Sequence, residues 1–108
     1  MTPLHIAEWA HAVEQHVFRK DLSRDEATRA HELFARHRED GDWAEIAMPE
    51  RVFELCADLA RRQAGRMPIR TLDSLHVACA LQLGATGFWT FDERQARLAK
   101  AEGLKVQT

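Results

Sequence analysis

Apolar positions recur at helical spacing along most of the chain, with short alternating stretches between. Over 2–18, TPLHIAEWAHAVEQHVF, the residues Ile6, Trp9, Ala10, Val13 and Val17 fall on one helical face. Glu8, His11 and Gln15 fall on the other. Thr2 can cap this helix and Pro3 suits its first turn. A second helix is predicted over 23–38. It opens on SRDE, where Ser23 and Glu26 have the spacing of a capping box, and Gly41 and Asp42 punctuate the break after it. Pro49 starts a third helix that runs to about Ala64, before Gly65, Met67 and Pro68 interrupt. A fourth runs from a Thr71 cap to Leu83 and ends at Gly84, and a last one covers 93–102 before Gly103. Trp43–Met48, WAEIAM, alternates like a short strand. Gly87–Phe91, GFWTF, is aromatic and uncharged, as a buried strand is, and LKVQ after Gly103 completes the strand candidates.

Strands alternating with helices predict an α/β fold with a small parallel sheet flanked by helices. The chain opens on a helix, so the opening strand of the alternation is expected to be absent. At 108 residues the whole of 1–108 is expected to be one domain, with no internal repeat and no low-complexity linker.

Charge narrows the function classes. Fifteen basic and 17 acidic residues, a net charge of -2, exclude a uniformly basic nucleic-acid binder but leave room for a local basic patch. Cys56 and Cys79 sit in apolar helical stretches with no CxxC or Cys/His metal spacing, which fits a reduced, cytoplasmic compartment. No apolar run is long enough to span a bilayer, so no membrane partner is expected.

Three acids carry the candidate chemistry. Asp73 lines up with Val77, Ala80 and Gly84, an apolar row, so its carboxylate is expected to point inward. The simpler reading is an acid complementing the positive end of its helix. Asp92, at the end of GFWTFD, reads either as an N-cap with Gln95 reaching back or as an acid at the carboxyl end of a strand, where open parallel sheets bind ligands. A helix start and the next strand's end share one rim of such a sheet, so the two acids are expected to meet there. Glu8 is a third candidate, although helical periodicity alone leaves it on a solvated face. Crowded carboxylates repel unless a cation joins them, and hard oxygen ligands suit Mg²⁺ or Mn²⁺.

The stretch TLDSLHVACALQLGA…FWTFDERQARLAKAEGL closely resembles the C-terminal half of PIN-domain proteins of the VapC toxin type, and TPLHIAEWAHAV resembles the segment carrying that family's second acid. The resemblance implies a three-layer PIN-like fold, here without its first strand and that strand's Asp, through a misplaced start or a truncated gene. It implies a Mg²⁺- or Mn²⁺-dependent endoribonuclease of a type II toxin–antitoxin system, with Glu8, Asp73 and Asp92 as catalytic and metal-site acids. The implied partners are an RNA substrate, a cognate antitoxin and a second copy in a homodimer. A remnant that binds antitoxin or itself without cleaving RNA is the alternative.

Other residues are weighed beside these. Arg61, Arg62, Arg66 and Arg70 form a basic run leading to Asp73, readable as an RNA backbone contact or as a solvated helix end. His76, one turn after Asp73, and Thr90, two residues before Asp92, are expected to support the acids. Glu8-x-x-His11 and Asp73-x-x-His76 invite comparison with di-iron four-helix bundles, which use Glu-x-x-His pairs. That reading sits badly with three strand candidates.

Overall fold

The computed structural model describes Met1–Gln107. The chain divides into two compact units, Met1–Ala47 and Met48–Thr108.

The first unit is a helical hairpin of α1 (Pro3–Phe18) and α2 (Arg24–Glu39). Each helix starts on a local device that the sequence encodes. At α1 the N-cap Thr2 is buried, and its N–H donates to His5 Nδ1 at 3.0 Å. A histidine therefore does what Glu or Gln does in the usual capping box. At α2 the Ser23–Glu26 box forms as expected: Glu26 N–H donates to Ser23 Oγ at 3.0 Å, and Ser23 N–H to Glu26 Oε1 at 3.0 Å. Both helices also end alike. Asp21 N–H donates to the His16 carbonyl and Asp42 N–H to that of His37, the longer of the two bonds of a Schellman turn. The same pairs meet through side chains, His16 Nδ1 with Asp21 Oδ2 at 3.2 Å and His37 with Asp42. The left-handed residue is Gly41 in one turn and Lys20, with φ of 66°, in the other. Across the hairpin, Glu14 takes both Arg24 Nη atoms at 2.6 and 3.1 Å and meets His31 Nε2 at 2.9 Å. Those bonds hold the Glu14 carboxyl down at about 2.

The segment Trp43–Met48 forms no strand, contrary to its alternation. Its backbone meets the chain start instead, with the Met1 ammonium on the Ala44 carbonyl at 2.9 Å and Ile46 N–H on the Met1 carbonyl at 2.7 Å. Ile46 is 44% exposed. Alternation specifies a strand only where a ladder partner and a covering face are both at hand.

The second unit holds α3 (Val52–Gln63), α4 (Thr71–Gln82), β1 (Gly87–Trp89), α5 (Glu93–Ala101) and β2 (Lys105–Gln107). Its centre is α4, buried without interruption from Asp73 to Cys79. Both α3 and α5 pack on it. A helix enclosed this way carries apolar residues around its whole circumference rather than along one stripe. α3 contributes Val52, Cys56 and Leu59 to this core, and α5 contributes Leu98 and Ala99. Burial pushes the thiols of Cys56 and Cys79 up. The N-cap of α4 is Arg70 rather than Thr71, which is its first helical residue.

β1 and β2 pair in parallel, with Phe88 opposite Val106. A parallel pair joined through α5 confirms the α/β class and the small parallel sheet, and it separates this chain from a four-helix bundle. The sheet has two strands, not three, among the described residues. Its aromatic strand is also not buried: Trp89 is 71% exposed and Phe91, beyond the strand end, 89%. Only the alternate residue Phe88 is half-buried. A two-stranded sheet gives each strand a single ladder neighbour, and lack of charge in its sequence does not cover its outer face. No helix among the described residues is long and apolar enough to cross a membrane.

Candidate functional site

Asp73 stands in the first turn of α4 and is 1% exposed. Its burial agrees with the apolar row read from the sequence. Its Oδ2 accepts the Arg70 backbone N–H at 2.8 Å, and Arg70 Nε lies 3.9 Å from the same oxygen. The carboxylate therefore fills the capping role first. His76, one turn on, is also buried.

Asp92 lies three residues past the end of β1 and is the N-cap of α5. Its Oδ1 accepts Arg94 N–H at 2.8 Å and Gln95 N–H at 3.3 Å. Its own N–H donates to Thr90 Oγ1 at 3.0 Å, and Thr90 Oγ1 donates to Gln95 Oε1 at 3.2 Å. Asp92 caps a helix as expected, although Gln95 does not reach back to its N–H, and it lies just beyond the carboxyl end of β1. Thr90 supports it, through the backbone rather than the carboxylate.

Glu8 belongs to the first unit and is half-buried, so its surroundings differ from the open helix face that periodicity suggests. It borders a cavity of about 620 Å³. Trp9 and Phe34 stack there with ring centroids 4.9 Å apart, and Trp43 lies 5.4 Å from Phe34. This unit carries ten acidic and six basic residues, a formal charge of −4, against +2 from nine basic and seven acidic residues in the second.

The basic run is not uniform. Arg61, Arg62 and Arg66 border a hollow of about 460 Å³ at the end of α3. Arg62 is already engaged: it donates to Asp58 at 3.0 Å and, through Nη1, to both Glu102 oxygens at 2.9 and 2.7 Å. Gln63 Nε2 adds a third bond to Glu102 at 2.9 Å. Burial alone would raise the Glu102 carboxyl, but these donors outweigh it and hold the group low. Arg61, Arg62, Arg66 and Arg70 are all exposed, Arg62 within its ion pairs and Arg70 beside Asp73.

The PIN domain family profile matches residues 1–101. The chain belongs to the PIN domain family. No curated protein and no solved structure matches it. PIN domains are in general metal-dependent nucleases, and the ion is typically Mg²⁺ or Mn²⁺. The matched span includes Glu8, Asp73 and Asp92. As donors the three suit such an ion, being hard carboxylate oxygens. Asp73 and Asp92 each commit one oxygen to a helix cap, Oδ2 of Asp73 and Oδ1 of Asp92. No group of three or more His, Cys, Asp or Glu side chains is arranged to hold a metal ion among the described residues.

Sequence reasoning missed two features of this PIN domain. Gln95 accepts from Thr90 rather than from the cap N–H, and Arg62 is paired with a residue 40 positions away. The i,i+4 spacing of Asp58 and Arg62 was the available hint for the second. Nothing local points to Glu102.

Proposed function

We propose that this PIN domain is a Mg²⁺- or Mn²⁺-dependent endoribonuclease of the VapC toxin type, acting in the cytoplasm and held silent by a cognate antitoxin. The observation that carries the reading is the family match over 1–101, which spans all three candidate acids. Glu8, Asp73 and Asp92 would hold the ion. When bound, a divalent ion acidifies a water and offsets the charge that develops on an attacked phosphodiester. Asp73 is held by Arg70 N–H and Asp92 by the amides of Arg94 and Gln95, so neither carboxylate has to reorganise to present its second oxygen. Arg61, Arg66 and Arg70 contact the RNA backbone, while Arg62 contributes chiefly by fixing the end of α3 against Glu102. The apolar cavity beside Glu8, in a unit of charge −4, suits an apolar, basic segment of the antitoxin. A second copy in a homodimer completes the set of proposed partners.

The test is cleavage of single-stranded RNA by the purified chain. Cleavage that needs Mn²⁺, stops with EDTA and is lost in Asp73→Asn supports the reading. An inert chain overturns it.

A second reading is a binding module that no longer cleaves. What favours it is the use of both Asp73 and Asp92 as helix caps, together with the lack of a three-donor cluster among the described residues. A chain that binds antitoxin but neither Mn²⁺ nor RNA would establish this second reading.

A further inference from the structure

In an ordinary capping box the residue at the third helical position accepts the N–H of the cap residue itself. At α5 a hydroxyl is interposed. Asp92 N–H goes to Thr90 Oγ1, and the Thr90 proton goes to Gln95 Oε1. Gln95 N–H then returns to Asp92 Oδ1, which closes a ring of Thr90, Asp92 and Gln95. The ring fixes the polarity of the hydroxyl. Its one proton is spent on Gln95, and a lone pair is spent on Asp92 N–H. Thr90 therefore has no proton to give to the Asp92 carboxylate, and the turn that aims this carboxylate is closed at both ends.

We propose that Gln95 is a positioning residue for Asp92, acting through the Thr90 hydroxyl. The proposal rests on Asp92 being a metal-site acid, as argued above. Removing the Gln95 acceptor frees the Thr90 proton. The hydroxyl can then rotate away from Asp92 N–H, and the turn that aims the carboxylate loosens. Partners of this kind orient metal ligands, and losing one typically weakens metal affinity by about 10- to 100-fold.

The experiment measures Mn²⁺ affinity by electron paramagnetic resonance, with the thermal midpoint recorded on the same samples. Asp92→Asn tests the underlying reading, because Asn still caps a helix but supplies a poorer ligand. Loss of Mn²⁺ binding in that variant upholds the reading. Retained binding, or none in the parent chain, overturns both claims. Given the loss, Gln95→Met and Thr90→Val should each weaken Mn²⁺ about tenfold. The double variant should be no weaker than either single one, since both remove the same link. Thr90→Ser keeps the hydroxyl and should stay close to the parent, and this pair carries the comparison if Gln95→Met folds poorly. A lowered midpoint with unchanged Mn²⁺ affinity would make Gln95 a helix cap only and overturn the inference. So would losses that multiply in the double variant.

Discussion

Asp73 accepts the backbone N–H of Arg70 while only 1% exposed, so one buried carboxylate closes the first turn of α4 and, in the function proposed above, also serves as a metal-site acid. The two roles separate chemically. An Asn side chain can still accept the Arg70 N–H through its carbonyl, whereas Ala leaves that donor without a partner. Asp73→Ala is expected to cost about 1–3 kcal/mol of stability by urea unfolding, and Asp73→Asn less. Both should lose Mn²⁺ binding. An Asn variant that keeps full Mn²⁺ affinity would confine Asp73 to its capping role.

The first unit should be acid-sensitive for an identifiable reason. Glu14 lies at about 2 when folded, against an ordinary 4.5, because Arg24 and His31 bond its carboxylate. A depressed carboxyl contributes stability above its unfolded value and loses it as pH falls through the folded one. The contribution is complete above about pH 4.5 and fades toward pH 2. Glu102, also held low, acts with the same sign in the second unit. Glu14→Gln should flatten the acid limb of a helix-against-pH titration by circular dichroism. If the variant and the parent titrate alike, the Glu14 pairs do not hold the hairpin.

Lys20 takes a left-handed conformation at φ of 66° where the matching turn after α2 uses Gly41. An L side chain in that region carries roughly 1–2 kcal/mol of strain, partly offset because glycine loses more entropy on folding. Lys20→Gly is therefore expected to stabilise the chain by about 0.5–1 kcal/mol, read as a higher thermal midpoint. The reciprocal change, Gly41→Ala, should lower it.

Local features of this fold were legible in the sequence, and non-local ones were not. The Ser23–Glu26 box, the stops at Gly84 and Gly103 and the cap at Asp92 each involve neighbours within a few residues, so spacing alone encodes them. Burial of Asp73 followed from its apolar row. By contrast, WAEIAM alternates without a ladder partner, and GFWTF lacks charge without being covered. A strand is completed by chain elsewhere, which its own residues do not specify. The grip of Arg62 on Glu102 and the course of the Thr90 proton have the same non-local or three-dimensional character.

Exposure, not residue type, should decide the cost of substitutions in the second unit. Phe91 is 89% exposed, whereas Leu98, seven residues on, is 0% exposed in the core around α4. Truncating a buried leucine removes its transfer free energy and leaves a cavity, so Leu98→Ala should cost about 2–5 kcal/mol. Phe91→Ser removes little contact and should stay within about 0.5 kcal/mol. It should also reduce self-association, since an aromatic group beside an open strand edge invites pairing with other chains. Equilibrium unfolding and light scattering on the two variants read both effects. A large stability loss in Phe91→Ser would mean that something covers this residue in solution, and a second copy of the chain would be the first partner to look for.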